Sequence, residues 1–536
     1  TALKEMVDYK ITEVGIKKLV RSTEVSKRIF AARVLAKFED DKYVPFLVEL
    51  LRDINADVRG AAIVTAGKLK RPEFWSIIIE NLHLPTYSNT ADSALISSGE
   101  TMFHAIDSSF YKTGQHLDTM VRIVQILGKT GGRQAVEMLW KKIDFPDKTI
   151  VSELLLSLSY IGFQAKDFQA ARIKLSIDNI ISDLTWNMKV LQEIPNEDSL
   201  DRLIISAFKE ENKKNFDHMF MLLSMIYDTQ SIRLVRENID LATTDSVSFG
   251  IEMLGIFVDE LIRPKLTAVL DDGSVEDKLK MLHDFYPPEE FEDYSDLLLQ
   301  IVNRDYNYIN KWTKCLAMYK LTLIEGHPVT DDLVANLFNP DPVMVQTAAA
   351  TIYKLDKEAY HLHTKRLKSA LKKKLDKDIV PAVFKNQDEK YHQKILIIER
   401  AILLKQIETF SNIPGVVLVD LAKRFDEIMV DKGTTLMDIG DLGSAPMYIV
   451  IKGELTVTYE DSTTRVLEEK GIIGHKLILA SDRSPYSLTA DTDCLLLTLD
   501  KNELYDAVSS NIEMVDGILT IINESDVEEE VESIFH

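Results

Sequence analysis

The sequence predicts a multidomain protein: an all-α solenoid of stacked two-helix units, then an antiparallel β-barrel of jelly-roll type with flanking helices. Three observations predict it. Apolar residues recur at helical spacing through residues 1–390, and a two-helix pattern returns along that stretch. From about residue 416 the apolar period drops to two and glycines punctuate the chain. At 536 residues the chain is also too long for one core. The expected divisions are a solenoid over 1–390, a connecting helix over 391–415, a barrel with its C-terminal helix over 416–523, and an acidic tail over 524–536.

Within the helical part, Val44, Leu47, Val48 and Leu51 form one apolar face, and Val58, Ala61, Ala62, Thr65 and Leu69 form the next. The polar Asn55-Ala56-Asp57 stretch between them can cap the second helix. Leu127-Gly128 and Ile161-Gly162 read as helix ends one repeat apart, with Leu154 in the place of Met120 and Leu158 in that of Val124. Downstream, Asn339-Pro340-Asp341 leading into Val345, Ala348 and Ala349 echoes Asn55-Ala56-Asp57 leading into Val58, Ala61 and Ala62.

Paired helices with small residues and an Asp57-Val58-Arg59 type of turn resemble HEAT repeats. The resemblance implies roughly nine or ten units of ~40 residues, with the pattern weakest between about 180 and 330. One such unit cannot bury its apolar face alone, so units stack and share a continuous core. The curved surface that results suits a protein partner or the chain's own tail better than a mere spacer role.

After residue 360 the composition turns basic. Lys365, Arg366, Lys368, Lys372, Lys373, Lys374 and Lys377 alternate with Leu367, Leu371 and Leu375, the spacing of an amphipathic helix. Its basic side reads first as a solvated face. Contact with an acidic partner, an anionic membrane surface or an acidic part of this chain is the sharper alternative.

In the last part, Leu455, Val457 and Tyr459 alternate with polar neighbours, and Met447, Ile449 and Ile451 alternate with Tyr448, Val450 and Lys452. Gly433, Gly440, Gly443, Gly453, Gly471 and Gly474 mark turns between short strands. The run from Lys432-Gly433 through Gly440-Asp441 and Tyr448-Ile449 to Gly453 resembles the opening of a cyclic nucleotide-binding domain. Phe410-Ser411-Asn412-Ile413-Pro414 before it, and Gly471-Ile472-Ile473-Gly474 after it, fit the same family in order. The match runs over about 396–523 and places a final helix at Leu504–Ile522.

The resemblance implies a ligand cassette at Gly474, His475, Lys476, Leu477, Arg483, Ser484 and Ser487. In the family a Gly-Glu pair opens a short helix whose N–H groups hold the cyclic phosphate. The Glu binds the ribose hydroxyl, and an Arg pairs with the phosphate. Here His475 follows Gly474, and counting back from Ala490 puts Ser484 at the Arg position, with Arg483 one residue early. A one-residue slip in an extended segment reverses the side chain's direction. Pro485 and Tyr486 replace small residues. Tight cAMP or cGMP binding is therefore not expected; His475 and Lys476 at a helix N-terminus could instead take another anion.

Other classes are disfavoured. With 85 acidic and 63 basic residues the net charge is −22, which repels a nucleic-acid backbone. Cys315 and Cys494, in apolar surroundings, read as buried thiols. No run approaches the 18 or so apolar residues of a membrane helix. With charges throughout Thr1–Arg21, no signal peptide is expected in that stretch. The eleven histidines form no metal-ligand spacing, so no metal or other cofactor is expected. Gly128-Lys129-Thr130 mimics a P-loop end, but Ile123 stands where its first glycine belongs.

These readings imply a regulatory or scaffolding protein and not an enzyme. The domain order also resembles the cytosolic C-terminal region of bacterial ATP/ADP carrier-like transporters of the major facilitator type. A start at Thr1, straight into a helix, fits such an origin. A cytoplasmic location is expected, and that resemblance implies the cytoplasmic face of the inner membrane, with the chain's own membrane domain as partner. The alternative is a soluble sensor whose barrel binds a nucleotide or other small anion and repositions the solenoid.

Overall fold

Helical periodicity becomes a series of packed helices from Glu13 to Ile379, and the period-two segment becomes a two-sheet barrel. The computed structural model describes residues 13–380, 394–441, 446–474, 483–501, 503–504 and 507. The chain divides into two compact units, Thr1–Ser182 with Asn215–Ser274, and Asp183–Lys214 with Val275–His536.

In the first unit the helices Val25–Leu35, Ala56–Leu69, Pro85–Ser98, Leu117–Thr130 and Lys148–Ile161 pack each on the next. Shorter helices between them, such as Val44–Leu51 and Pro72–Glu80, form the second layer. The Asn55 side chain caps its helix by accepting from the backbone N–H groups of Asp57 and Val58 at 3.1 and 3.2 Å. Asp147 does the same for Thr149 and Ile150.

A buried hydroxyl ties successive repeats together. Thr65 Oγ1 donates to the Ala32 carbonyl (2.9 Å) and Ser157 Oγ to Val124 (3.3 Å), while Ser98 Oγ donates to Ala94 of its own helix (2.7 Å) and lies 3.4 Å from the Gly67 carbonyl. In the second unit Thr351 Oγ1 donates to Met318 (3.1 Å). The groups paired between helices stand 33, 33, 31 and 33 residues apart, so the repeat is shorter than the ~40 residues expected.

Gly128 lies inside its helix and does not end it; the helix runs to Thr130 and stops at Gly131. Its role is close approach, because a Cβ there would sit 2.5 Å from Ser157 Oγ and 2.7 Å from Ser157 Cβ. Gly128→Ala is expected to lower unfolding free energy by about 1–3 kcal/mol from overpacking. This should outweigh the ~1 kcal/mol that alanine adds to helix propensity. A urea titration reads the difference.

Among the described residues the barrel has eight strands: β1 (Asp426–Val430), β2 (Thr435–Met437), β3 (Met447–Lys452), β4 (Leu455–Tyr459), β5 (Thr464–Leu467), β6 (Ile472–Ile473), β7 (Tyr486–Ala490) and β8 (Cys494–Leu499). They form two antiparallel sheets in the orders β1-β8-β3-β6 and β2-β7-β4-β5. Inside lie Val450, Leu455, Val457, Leu488, Ala490 and Leu496.

β4 alternates as expected for Leu455 and Val457, but Tyr459 reaches the surface. β3 does not alternate in burial: Met447, Tyr448, Ile449 and Val450 are all buried. The reason is a second apolar layer. Tyr448 and Val450 face the barrel interior, while Met447 and Ile449 join Leu497 and Leu499 in a helical core outside it.

That helical core is continuous through the second unit, from Trp186 and Phe208 through Trp312, Ala348 and Tyr360 to Leu418, Leu504 and Ala507. The described part of 391–415, expected as one connecting helix, holds two helices, Ile397–Gln406 and Glu408–Ser411, and a third, Gly415–Ala422, begins at its end. Pro414, lacking an N–H, sits at the start of the last of these. Both cysteines are free and fully buried, and burial pushes the Cys315 thiol up to about 12. No helix among the described residues is long and apolar enough to cross a membrane.

Candidate functional site: the barrel cassette and its seat

The candidate cassette begins where β6 ends. Gly474 has φ +87°, and a Cβ there would lie 2.6 Å from the Pro446 carbonyl oxygen, so only glycine fits this turn. His475, Lys476 and Leu477 lie outside the described residues.

On the other side, Arg483 is exposed and Ser484 is buried at 3% exposure. The strand parity set by Ala490, Leu488 and Tyr486 turns Ser484 inward and Arg483 out. The Ser484 hydroxyl donates to the Tyr486 carbonyl at 2.6 Å, so it is committed to its own backbone. Main-chain bonds pin the segment to the Gly440-Asp441 turn: Gly440 N–H to Ser484 O at 2.9 Å, and Ser484 N–H to Asp441 O at 3.2 Å. Ser487 is half-buried opposite Thr458 of β4.

Tyr486 is outside the cassette expected from sequence, yet it occupies that region. Its ring is only 7% exposed and packs edge-on to Tyr459, centroids 6.1 Å apart. Burial pushes its phenol well above the usual tyrosine range; Tyr459 adds to this, and the Gly474 backbone N–H pulls the other way. The signal for this was the inward register it shares with Leu488 and Ala490.

A second cluster fixes the helices before the barrel. Lys405 pairs with Glu210 at 2.7 Å and donates to the carbonyls of Ser411 and Ile413, both at 2.7 Å. Glu210 also accepts the Gly415 N–H at 2.8 Å. Arg400 pairs with Glu427 of β1 and donates to the Phe425 carbonyl. Lys311 pairs with Asp420 at 2.6 Å and lies 3.6 Å from Asp341. Burial opposes the Lys311 charge, but Asp420 and Asp341 outweigh it and raise its pKa. Sequence gave no sign of these pairs, because the partners lie far apart along the chain. Among the described residues no three His, Cys, Asp or Glu side chains converge as a metal site.

Residues 427–511 match the cyclic nucleotide-binding domain, and residues 12–98 match HEAT repeats. The chain carries HEAT repeats in its N-terminal part and a cyclic nucleotide-binding domain in its C-terminal part. Similar solved structures include the N-terminal domain of a transcriptional regulator from Streptomyces coelicolor A3(2), at 20% identity, covering 24% of this chain and 93% of that one, TM-score 0.22. The Thermus thermophilus catabolite activator protein is 18% identical over 25% of this chain and 62% of its own, TM-score 0.21. The regulatory subunit of a cAMP-independent protein kinase A from Trypanosoma brucei is 16% identical over 22% and 47%, TM-score 0.20. No curated protein matches the chain. Neither family match bears on the transporter expectation. Within this cyclic nucleotide-binding domain, the described half of the cassette offers a phosphate no inward cation.

Proposed function

We propose that the chain is a non-catalytic regulatory scaffold, in which the cyclic nucleotide-binding domain serves as a fixed docking end of the HEAT solenoid. The observation that carries this reading is Ser484. It stands where the family resemblance puts the phosphate-binding cation, and its hydroxyl is already engaged by the Tyr486 carbonyl. A charged hydrogen bond contributes about 1.5–3 kcal/mol, so losing both the phosphate cation and the ribose acceptor weakens a cyclic nucleotide by roughly 3–6 kcal/mol. That is about two to four orders of magnitude in Kd. The continuous core between the last solenoid helices and the barrel supports the fixed geometry.

Isothermal titration with cAMP and cGMP, with ATP and ADP as controls, tests this. No saturable heat at high micromolar ligand is expected. Saturable cyclic-nucleotide binding that disappears in Arg483→Ala would establish the alternative, a ligand-operated sensor. The scaffold reading also accommodates a regulatory tail on a nucleotide-carrier-like transporter, an attachment that rests on domain order alone.

A further inference from the structure

The densest basic run of this acidic chain is displayed on one face of the second unit. On the helix Ser369–Ile379, Leu375 and Ile379 are buried at 3% and 1% exposure, and Leu371 is half-buried against the same core. Lys373, Lys374 and Lys377, spaced as one helical stripe, are exposed. Lys365, Arg366 and Lys368 in the preceding turn are exposed as well, and Lys372 is partly so. The two acids of this helix are turned to other partners. Asp376 accepts from the Tyr360 hydroxyl at 2.9 Å, and Asp378 accepts from Gln346 at 3.3 Å. Among the described residues none of the seven bases has an acidic partner. With its leucines committed to the core, the helix has charge but no apolar stripe to offer.

We propose that the acidic segment 524–532 of this same chain docks on that face. The segment carries Glu524, Asp526, Glu528, Glu529, Glu530 and Glu532 and no base, so its charge complements the seven bases. Ala507 is buried in the same core as Leu375 and Ile379, so the chain leaves from the same body. The residues between 507 and 524 span about 25 Å as the expected helix and at most roughly 55 Å if fully extended.

The total charge decides between this occupant and an outside polyanion. At −22 the molecule repels another anion before it reaches the basic face. A tethered segment is already present at about millimolar effective concentration. The same repulsion drives the acidic segment off most of the remaining surface. An outside partner of the scaffold would then gain the basic face only by displacing the segment. This inference does not depend on whether the barrel binds a nucleotide.

The test is zero-length carbodiimide cross-linking of the full chain at low salt, with peptide mapping. Cross-links should join Lys372, Lys373, Lys374 or Lys377 to Glu528, Glu529, Glu530 or Glu532. Their yield should be unchanged on tenfold dilution and should fall several-fold at about 0.5 M salt, where the Debye length drops to a few ångströms. The triple variant Lys372→Glu, Lys373→Glu, Lys374→Glu should lose them. Adding Glu528→Lys, Glu529→Lys and Glu530→Lys should restore them with the charges exchanged. Cross-links scattered over lysines elsewhere, a yield that falls on dilution, or failure of the exchanged variant to recover would each overturn the proposal. Circular dichroism of each variant separates loss of docking from loss of fold.

Discussion

Trp312→Ala is expected to cost about 3–5 kcal/mol, the range for removing a buried large aromatic side chain. The indole is 1% exposed and forms the floor on which the helix Gly415–Ala422 rests. The approach is so close that a Cβ on Gly415 would fall 2.0 Å from Trp312 Nε1. The backbone, not a side chain, therefore meets the ring, and alanine at 312 leaves a gap that a helix held by Glu210 cannot fill by sliding. Denaturant unfolding should show the loss and split one transition of this unit into two, with the barrel separating from the last solenoid helices. Trp312→Phe should lose less than about half as much. It keeps most of the ring and removes an indole N–H that has no hydrogen-bond partner among the described residues. Equal losses for alanine and phenylalanine would show that the indole does not carry the seat.

Arg400→Met is expected to cost a similar amount, about 3–5 kcal/mol, by leaving a carboxylate buried without its cation. The side chains of Arg400 and Glu427 are 12% and 8% exposed. Glu427 also accepts the Ile395 N–H at 3.1 Å, and Arg400 donates to the Ile395 carbonyl at 3.2 Å. The pair thus joins the chain before the connecting helices to the first barrel strand. The double variant Arg400→Met, Glu427→Leu should recover a substantial part of the loss, since it removes the stranded charge as well as the pair. A double variant less stable than Arg400→Met would mean that the two side chains act independently.

The fold class was legible because helix and strand periods are local. The Asn55 cap and the Leu455 and Val457 alternation could both be read from neighbouring residues. What was not legible depended on what packs from outside. β3 lost its expected alternation in burial because helices cover its outer face, which no period within Met447–Lys452 can reveal. Gly128 resembled a helix end because glycine serves both as a stop and as a close-approach site, and only the position of Ser157 separates the two. In the cassette, counting from Ala490 located Ser484 and Arg483 on opposite faces, since strand parity is also local. The filling role of Tyr486 needed the opposing strands, and the Glu210–Lys405 pair needed the tertiary fold.

The hydroxyl bonds between stacked helices limit how each bonded pair can move. An all-apolar seam can slide, because one greasy contact substitutes for another. Here a slip of one helical turn, about 5.4 Å, would strand a buried hydroxyl such as that of Thr65, and the carbonyl it serves. Each orphaned group costs about 1–3 kcal/mol, and the cost recurs at every bonded pair. Ratcheting is therefore expensive, while small pivots about each bond are not. Force across such a bonded pair is therefore taken up as a slight change of curvature, with the stagger within the pair conserved.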